Sequence, residues 1–262
     1  MAIDFACFNY SVSDDDSPLG IKRSMIIAIA NQKGGIGKTT TAQAFLELLR
    51  AKGFRALGID LDTQGNLTDF MGRSGNAVKV ANLLQGKAKP LDAIEQDFIA
   101  GDYLTMMGAK SATPQQVAHI IEEASRDYPF SIIDTPVTID TLTLGALLAC
   151  DAVIIPTTAD GGALMGIKAL SKAIEAARKA NPRLKAVYVL FVRFDKRKVL
   201  DRQLREQYEA RSPHKTLRAT IRQSNPIREA QTMQEPLMSV RSSSGMKDYS
   251  EALKEVLEDM KQ

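Results

Sequence analysis

Residues 32–40 read Gln-Lys-Gly-Gly-Ile-Gly-Lys-Thr-Thr, a glycine loop that closes on Lys38 and Thr39. Glycine tolerates the backbone angles that turn successive N–H groups toward one point, and a helix starting after Gly37 adds its positive dipole end there. A loop built from Lys33, Gly34, Gly35, Ile36, Gly37, Lys38, Thr39 and Thr40 is suited to hold a polyanion. In this pattern the Lys38 ammonium reaches the β and γ phosphates of a nucleoside triphosphate, and the Thr39 hydroxyl ligates Mg2+. The setting agrees: residues 25–30 (MIIAIA) are an apolar run of strand length, and residues 40–52 carry apolar side chains at helical spacing. A glycine turn beside a surface lysine would need none of that context.

The loop departs from the usual spacing at one point. Gln32 stands where the first glycine normally falls and Lys33 follows it, which puts a second lysine inside the loop. Lys33 can bind its own subunit's phosphates, bind those of a neighbouring subunit, or merely solvate the loop.

The elements that must position this loop recur along the chain. Apolar, β-rich runs occupy residues 55–61, 103–107, 130–133, 152–155, 186–192 and 217–221, and helical spacing occupies 114–125, 162–180 and 199–211. The alternation predicts an α/β fold, a mostly parallel twisted sheet with helices on both faces. Residues 246–260 close the chain as a helix with Met246, Tyr249, Leu253, Val256, Leu257 and Met260 on one stripe.

Ligands of such sheets lie beyond the carboxyl ends of the strands, where two acidic segments fall. One run ends in Asp60-Leu61-Asp62-Thr63-Gln64-Gly65-Asn66 and another in Asp134-Thr135-Pro136. An aspartate closing an apolar strand is costly to bury without a cation, so Asp134 is a candidate for holding a Mg2+-bound water, with a helix N-cap as the competing role. Asp60 and Asp62 alternate along extended chain and should face opposite sides, so one of them serves the site. A carboxylate there can orient a water for in-line attack on a phosphate.

Bulk properties narrow the class. The 262 residues are 44% hydrophobic, enough for one large α/β domain over residues 25–262. Residues 1–24 carry Asp14-Asp15-Asp16 and read as a flexible N-terminal extension, without the basic start and apolar segment of a secretory signal. The two cysteines, Cys7 and Cys150, have no metal-ligand or disulfide spacing, which fits a reducing cytoplasm. No apolar run approaches membrane-spanning length.

The net charge of +3 hides a local excess. Residues 193–228 hold eleven basic and four acidic side chains, a balance of +7, so the rest of the chain carries −4. Within that segment Lys196, Arg197, Lys198, Arg202, Lys215, Arg218, Arg222 and Arg228 are candidates for phosphate contacts that bind DNA without reading its sequence. The alternative is a solvated helix face.

Taken together, these segments resemble the ParA/MinD group of deviant Walker P-loop ATPases, and within it the ParA partition proteins. The matching stretches are NQKGGIGKTTTA at 31–42, IDLDTQGNLT at 59–68, IIDTP at 132–136, VIIPTTADGGALMGIKAL at 153–170, FDKR at 194–197 and IREAQTMQEPL at 227–237. The resemblance implies ATP and Mg2+ as cofactors and an ATP-dependent homodimer that hydrolysis takes apart. It casts Lys33 as the lysine reaching the partner's phosphates, Lys38 as the in-subunit phosphate lysine, Thr39 as a Mg2+ ligand, Asp62 as the carboxylate that orients water, and Asp134 as the Walker B residue. Asp60 would support the metal and lysine network, and Arg193, near the expected base site, would either stack on adenine or sit on the surface.

Three positions depart from the family: Thr63 and Val137 replace frequent prolines, and Gly145 replaces a frequent asparagine. The resemblance further implies non-specific double-stranded DNA as a partner, a ParB-like adaptor, and a cytoplasmic, nucleoid-associated location. The 24 leading residues are too few for the helix-turn-helix domain of larger partition proteins, so the short form is expected. A MinD-like membrane-positioning ATPase is the alternative, but it would want a basic terminal helix, whereas residues 246–262 carry five acidic and three basic side chains. A nitrogenase iron-protein-like ATPase would need cluster cysteines, which Cys150 alone does not supply.

Overall fold

Local sequence sets the strands, and a computed structural model of the chain, describing residues 24–75, 77–160 and 163–261, shows how they assemble. The expected N-terminal extension thus lies, apart from Ser24, outside the described residues. The strands are β1 (Met25–Ile29), β2 (Ala56–Asp60), β3 (Val78–Lys79), β4 (Phe98–Ala100), β5 (Phe130–Asp134), β6 (Ala152–Thr157), β7 (Ala186–Val192) and β8 (Lys215–Ile221). Among the described residues they form one sheet in the order β3-β4-β2-β5-β1-β6-β7-β8, with every pairing parallel.

Parallel strands need crossovers, and the helices supply them. They are α1 (Lys38–Ala51), α2 (Asn66–Phe70), α3 (Val80–Leu84), α4 (Tyr103–Ala109), α5 (Pro114–Ser125), α6 (Thr141–Ala149), α7 (Ala163–Ala180), α8 (Val199–Glu209), α9 (Asn225–Thr232) and α10 (Ser244–Asp259). Alternation along β1 divides the core: Ile26 and Ala28 join the residues of α5, α6 and α7, whereas Ile27 and Ile29 join those of α1, α9 and α10. Both faces are covered, which is why MIIAI is apolar at every position. The expected α/β architecture is therefore observed. The stripe of α10 is spent on this core, with Met246, Tyr249, Leu253, Val256 and Leu257 all buried.

One expected strand is a helix. Residues 103–107 have strand-like composition, but Asp102 caps α4: its carboxylate accepts from the Thr105 N–H at 3.2 Å while the Thr105 hydroxyl accepts from the Asp102 N–H at 3.1 Å. This reciprocal pair satisfies the first helical donors, and the strand falls earlier, at Phe98–Ala100. Gly145 also has a packing reason: a Cβ there would lie 2.5 Å from the Val117 side chain, so α6 crosses α5 only because the position is bare.

Candidate nucleotide site

β1 and β5 are neighbours, and the chain leaves them in opposite directions, from β1 through α1 to β2 and from β5 through α6 to β6, so a crevice opens at their carboxyl ends. The glycine loop occupies the end of β1. Gly37, the N-cap of α1, has φ 85°, a left-handed conformation that a side chain would strain. A cavity of about 490 Å³ opens above it, lined by Gly35 to Thr40, Asp62, Gln64, Val137, Arg193, Gln223, Arg228, Gln231 and Tyr249 among others.

Three buried charges converge below this cavity. Lys38 is 6% exposed; burial lowers its pKa, opposed by the nearby carboxylates of Asp134 and Asp62. Asp60 and Asp134 are register partners on adjacent strands, and both are fully buried. Burial raises Asp60 to about 6, against the hydrogen bonds that Thr68 and Asp62 give it. Asp134 is raised well above the usual carboxylate range, first by burial and then by the charge of Asp60.

The two aspartates differ in their partners. Asp60 accepts from the Asp62 N–H at 3.0 Å and from the Thr68 N–H and hydroxyl at 2.9 and 2.8 Å, so both of its oxygens brace the turn into α2. Among the described residues neither oxygen of Asp134 has a hydrogen-bond partner, although the Thr39 side chain and the Lys38 ammonium lie near enough to favour its charged form. An orphaned buried carboxylate facing a threonine hydroxyl is the donor set a hard cation wants, so Asp134 and Thr39 fit Mg2+. Asp60 fits a supporting position, because its lone pairs are already engaged. Asp62 lines the cavity, and its Oδ1 accepts the Gln64 N–H at 3.0 Å.

Two basic residues make contacts that local sequence does not disclose. The Lys33 ammonium lies on Asp160 of its own subunit, 2.8 and 2.6 Å from the two carboxylate oxygens. Arg193 adopts φ 54° and donates through its guanidinium to the Gly35 carbonyl at 2.8 Å. It therefore braces the phosphate loop from the cavity wall while remaining exposed, as one of its two expected roles requires.

The eight candidate DNA contacts divide. Lys196, Arg197, Lys198 and Arg222 line a second cavity of about 530 Å³, together with Arg193, Asp195, Gln223 and Asp248. Arg197 is paired with Asp195 and Arg222 with Asp248. Arg202 joins this edge by donating to the Lys196 carbonyl at 3.3 Å. Arg228 lines the nucleotide cavity instead. Lys215 and Arg218 lie elsewhere along β8, with Lys215 paired to Asp259 and the Arg218 guanidinium 3.5 Å from Glu255. Lys215 stands at the start of the strand and Arg222 just beyond its end, roughly 20 Å apart at strand rise.

A glycine loop between a central parallel strand and a helix, with a buried lysine and a buried terminal aspartate, defines a P-loop nucleotide hydrolase. Residues 24–186 match the family described as AAA domain. The chain is 34% identical over 244 residues to the chromosome-partitioning ATPase Soj of Thermus thermophilus, covering 88% of this chain and 94% of that protein. It is 31% identical over 249 residues to the chromosome partitioning protein ParA of Caulobacter vibrioides, covering 88% and 93%. In fold it resembles the septum site-determining protein MinD of Pyrococcus horikoshii, solved with Mg-ADP, at 23% identity and a TM-score of 0.74, covering 91% of this chain and 99% of that one. The chain belongs to the ParA-type partition ATPases, a family of ATP hydrolases.

Proposed function

We propose that this chain segregates DNA by a cycle in which ATP joins two copies, the dimer grips duplex DNA without sequence preference, and hydrolysis releases it. The observation that carries the reading is a shared wall: Arg193, Arg222 and Gln223 line both the nucleotide cavity and the basic cavity. A change of nucleotide on one side is thereby in direct contact with the groups that would hold phosphates on the other. In this cycle Lys38 and the loop amides hold the triphosphate, and Thr39 and Asp134 would hold Mg2+, which would supply positive charge against the phosphates. Asp62 orients the attacking water, and Asp60 holds the turn that carries it. Lys33 must leave Asp160 to reach a partner's phosphates. A ParB-like adaptor would accelerate turnover, and the protein would act on the nucleoid in the cytoplasm.

A membrane-positioning cycle would call on α10, whose apolar stripe is committed to the sheet. Among the described residues no helix is long and apolar enough to cross a membrane.

Duplex binding across a salt series tests the proposal. Lys196→Glu combined with Lys198→Glu should weaken binding and flatten the log–log salt slope by about one to two units, near 0.9 for each phosphate no longer neutralised. An unchanged slope would remove this cavity from the DNA interface.

A further inference from the structure

The last loop residue, Thr40, touches a side chain 191 positions away. Gln231 of α9 donates through its amide nitrogen to the Thr40 hydroxyl oxygen at 3.2 Å and to the Gln43 side-chain oxygen at 2.9 Å. Gln43, fully buried, donates in turn to Glu47 at 2.9 Å, and the other Glu47 oxygen accepts the Met238 N–H at 2.9 Å. The polarity of this chain of contacts is fixed at its far end, because a carboxylate there only accepts. Gln43 must therefore turn its NH2 toward Glu47 and its oxygen toward Gln231, which commits the Gln231 NH2 to Gln43 and Thr40.

A threonine hydroxyl has one proton and two lone pairs. With the Gln231 NH2 filling a lone pair of Thr40, the proton has two destinations: the Gln231 oxygen, a long 3.4 Å away, or the cavity that Thr40 lines. The first is a poor hydrogen bond, so a phosphate oxygen in the cavity wins the proton.

We propose that Gln231 is a positioning residue for nucleotide binding: its amide, oriented through Gln43 and Glu47, fills the acceptor side of the Thr40 hydroxyl and aims its proton at the phosphates. The inference rests on reading residues 32–40 as the phosphate site. It makes the α9 segment part of nucleotide recognition, a role the loop motif alone does not contain.

Equilibrium binding of a non-hydrolysable ATP analogue with Mg2+ to the full chain, arranged as a double-mutant cycle, tests it. Thr40→Val and Gln231→Leu should each weaken binding, by about tenfold to a hundredfold for a charge-assisted hydrogen bond removed or misdirected. The double variant should be no weaker than Thr40→Val alone, since Gln231 acts through that hydroxyl. Gln231→Glu, which turns the donor into an acceptor, should bind more weakly than Gln231→Leu, while thermal melts of the nucleotide-free variants verify folding. Multiplicative losses in the double variant, or a Gln231→Glu protein binding as well as wild type, would overturn the proposal. Unchanged binding by Thr40→Val would instead overturn the reading of Thr40 as a phosphate contact, and the proposal with it.

Discussion

Asp134→Asn separates the cost of the metal site from its use. Asp134 is fully buried, with both oxygens unpartnered among the described residues and the Asp60 carboxylate on the adjacent strand, so the nucleotide-free protein bears an ionisation penalty there. The amide keeps the shape and removes the charge but leaves buried polar atoms, so the net relief sits at the low end of the unpaired-group range, about 1 kcal/mol. For a chain of this length that raises the melting temperature by about 2–4 °C. The sign with pH follows from the raised pKa. A carboxyl raised on folding stabilises the fold below its unfolded pKa, and that contribution is lost as pH rises through the folded value. The advantage of the variant therefore widens from acid to neutral pH. With Mg-ATP at about a hundred times its Kd, wild type should gain about 2.7 kcal/mol, or roughly 5–10 °C, and the variant should lose the Mg2+-dependent part of that gain. Scanning fluorimetry with and without Mg-ATP reads both effects. A variant that melts lower without nucleotide, or keeps the full Mg-ATP shift, refutes the reasoning.

Three further outcomes follow from particular contacts. Asp62→Ala should still bind ATP and accumulate as a dimer, because Lys38 and the loop are untouched while water loses its acceptor; light scattering that finds monomer with ATP contradicts the role given to Asp62. Gly145→Ala drives a Cβ to within 2.5 Å of Val117, so chemical denaturation should show a loss of about 1–3 kcal/mol, the usual cost of overpacking, and a neutral effect would mean that α5 and α6 separate freely. His214 is 7% exposed, with its ring 2.7 Å from the Ser171 hydroxyl, and burial and Arg178 lower its pKa despite Glu175. A histidine lowered on folding loses stability as pH falls through its unfolded value near 6.5 toward the lower folded one. The wild-type melting temperature should thus drop below neutral pH more than that of His214→Gln, and parallel curves would rule out this source.

The loop and strands β1, β2, β5, β6, β7 and β8 were legible because their signals are local: glycines beside Lys38-Thr39, and apolar runs long enough for strands; β3 and β4, of two and three residues, are too short to leave such a run. The helix α6 was not legible, since TLTLGALLA is apolar nearly throughout and carries no one-sided period. The helix α4 reads as a strand because Tyr103, Leu104 and Met107 look β-like while a two-residue cap at Asp102 and Thr105 decides the outcome. Contacts that depend on distant segments left no local trace, among them Lys33 with Asp160 and Gln231 with Thr40. The basic excess of residues 193–228 was visible as a count, but β8 spreads it from one end of a strand to the other, so only part of it gathers at a cavity.

The central claim is that ATP-driven pairing creates the grip on DNA. Fluorescence anisotropy of a labelled duplex of arbitrary sequence, titrated with the full chain in Mg-ATP, in Mg-ADP and without nucleotide, tests it most directly. Tight, salt-sensitive binding in Mg-ATP alone is the predicted result. Equal binding in all three conditions, or none in any, would contradict it.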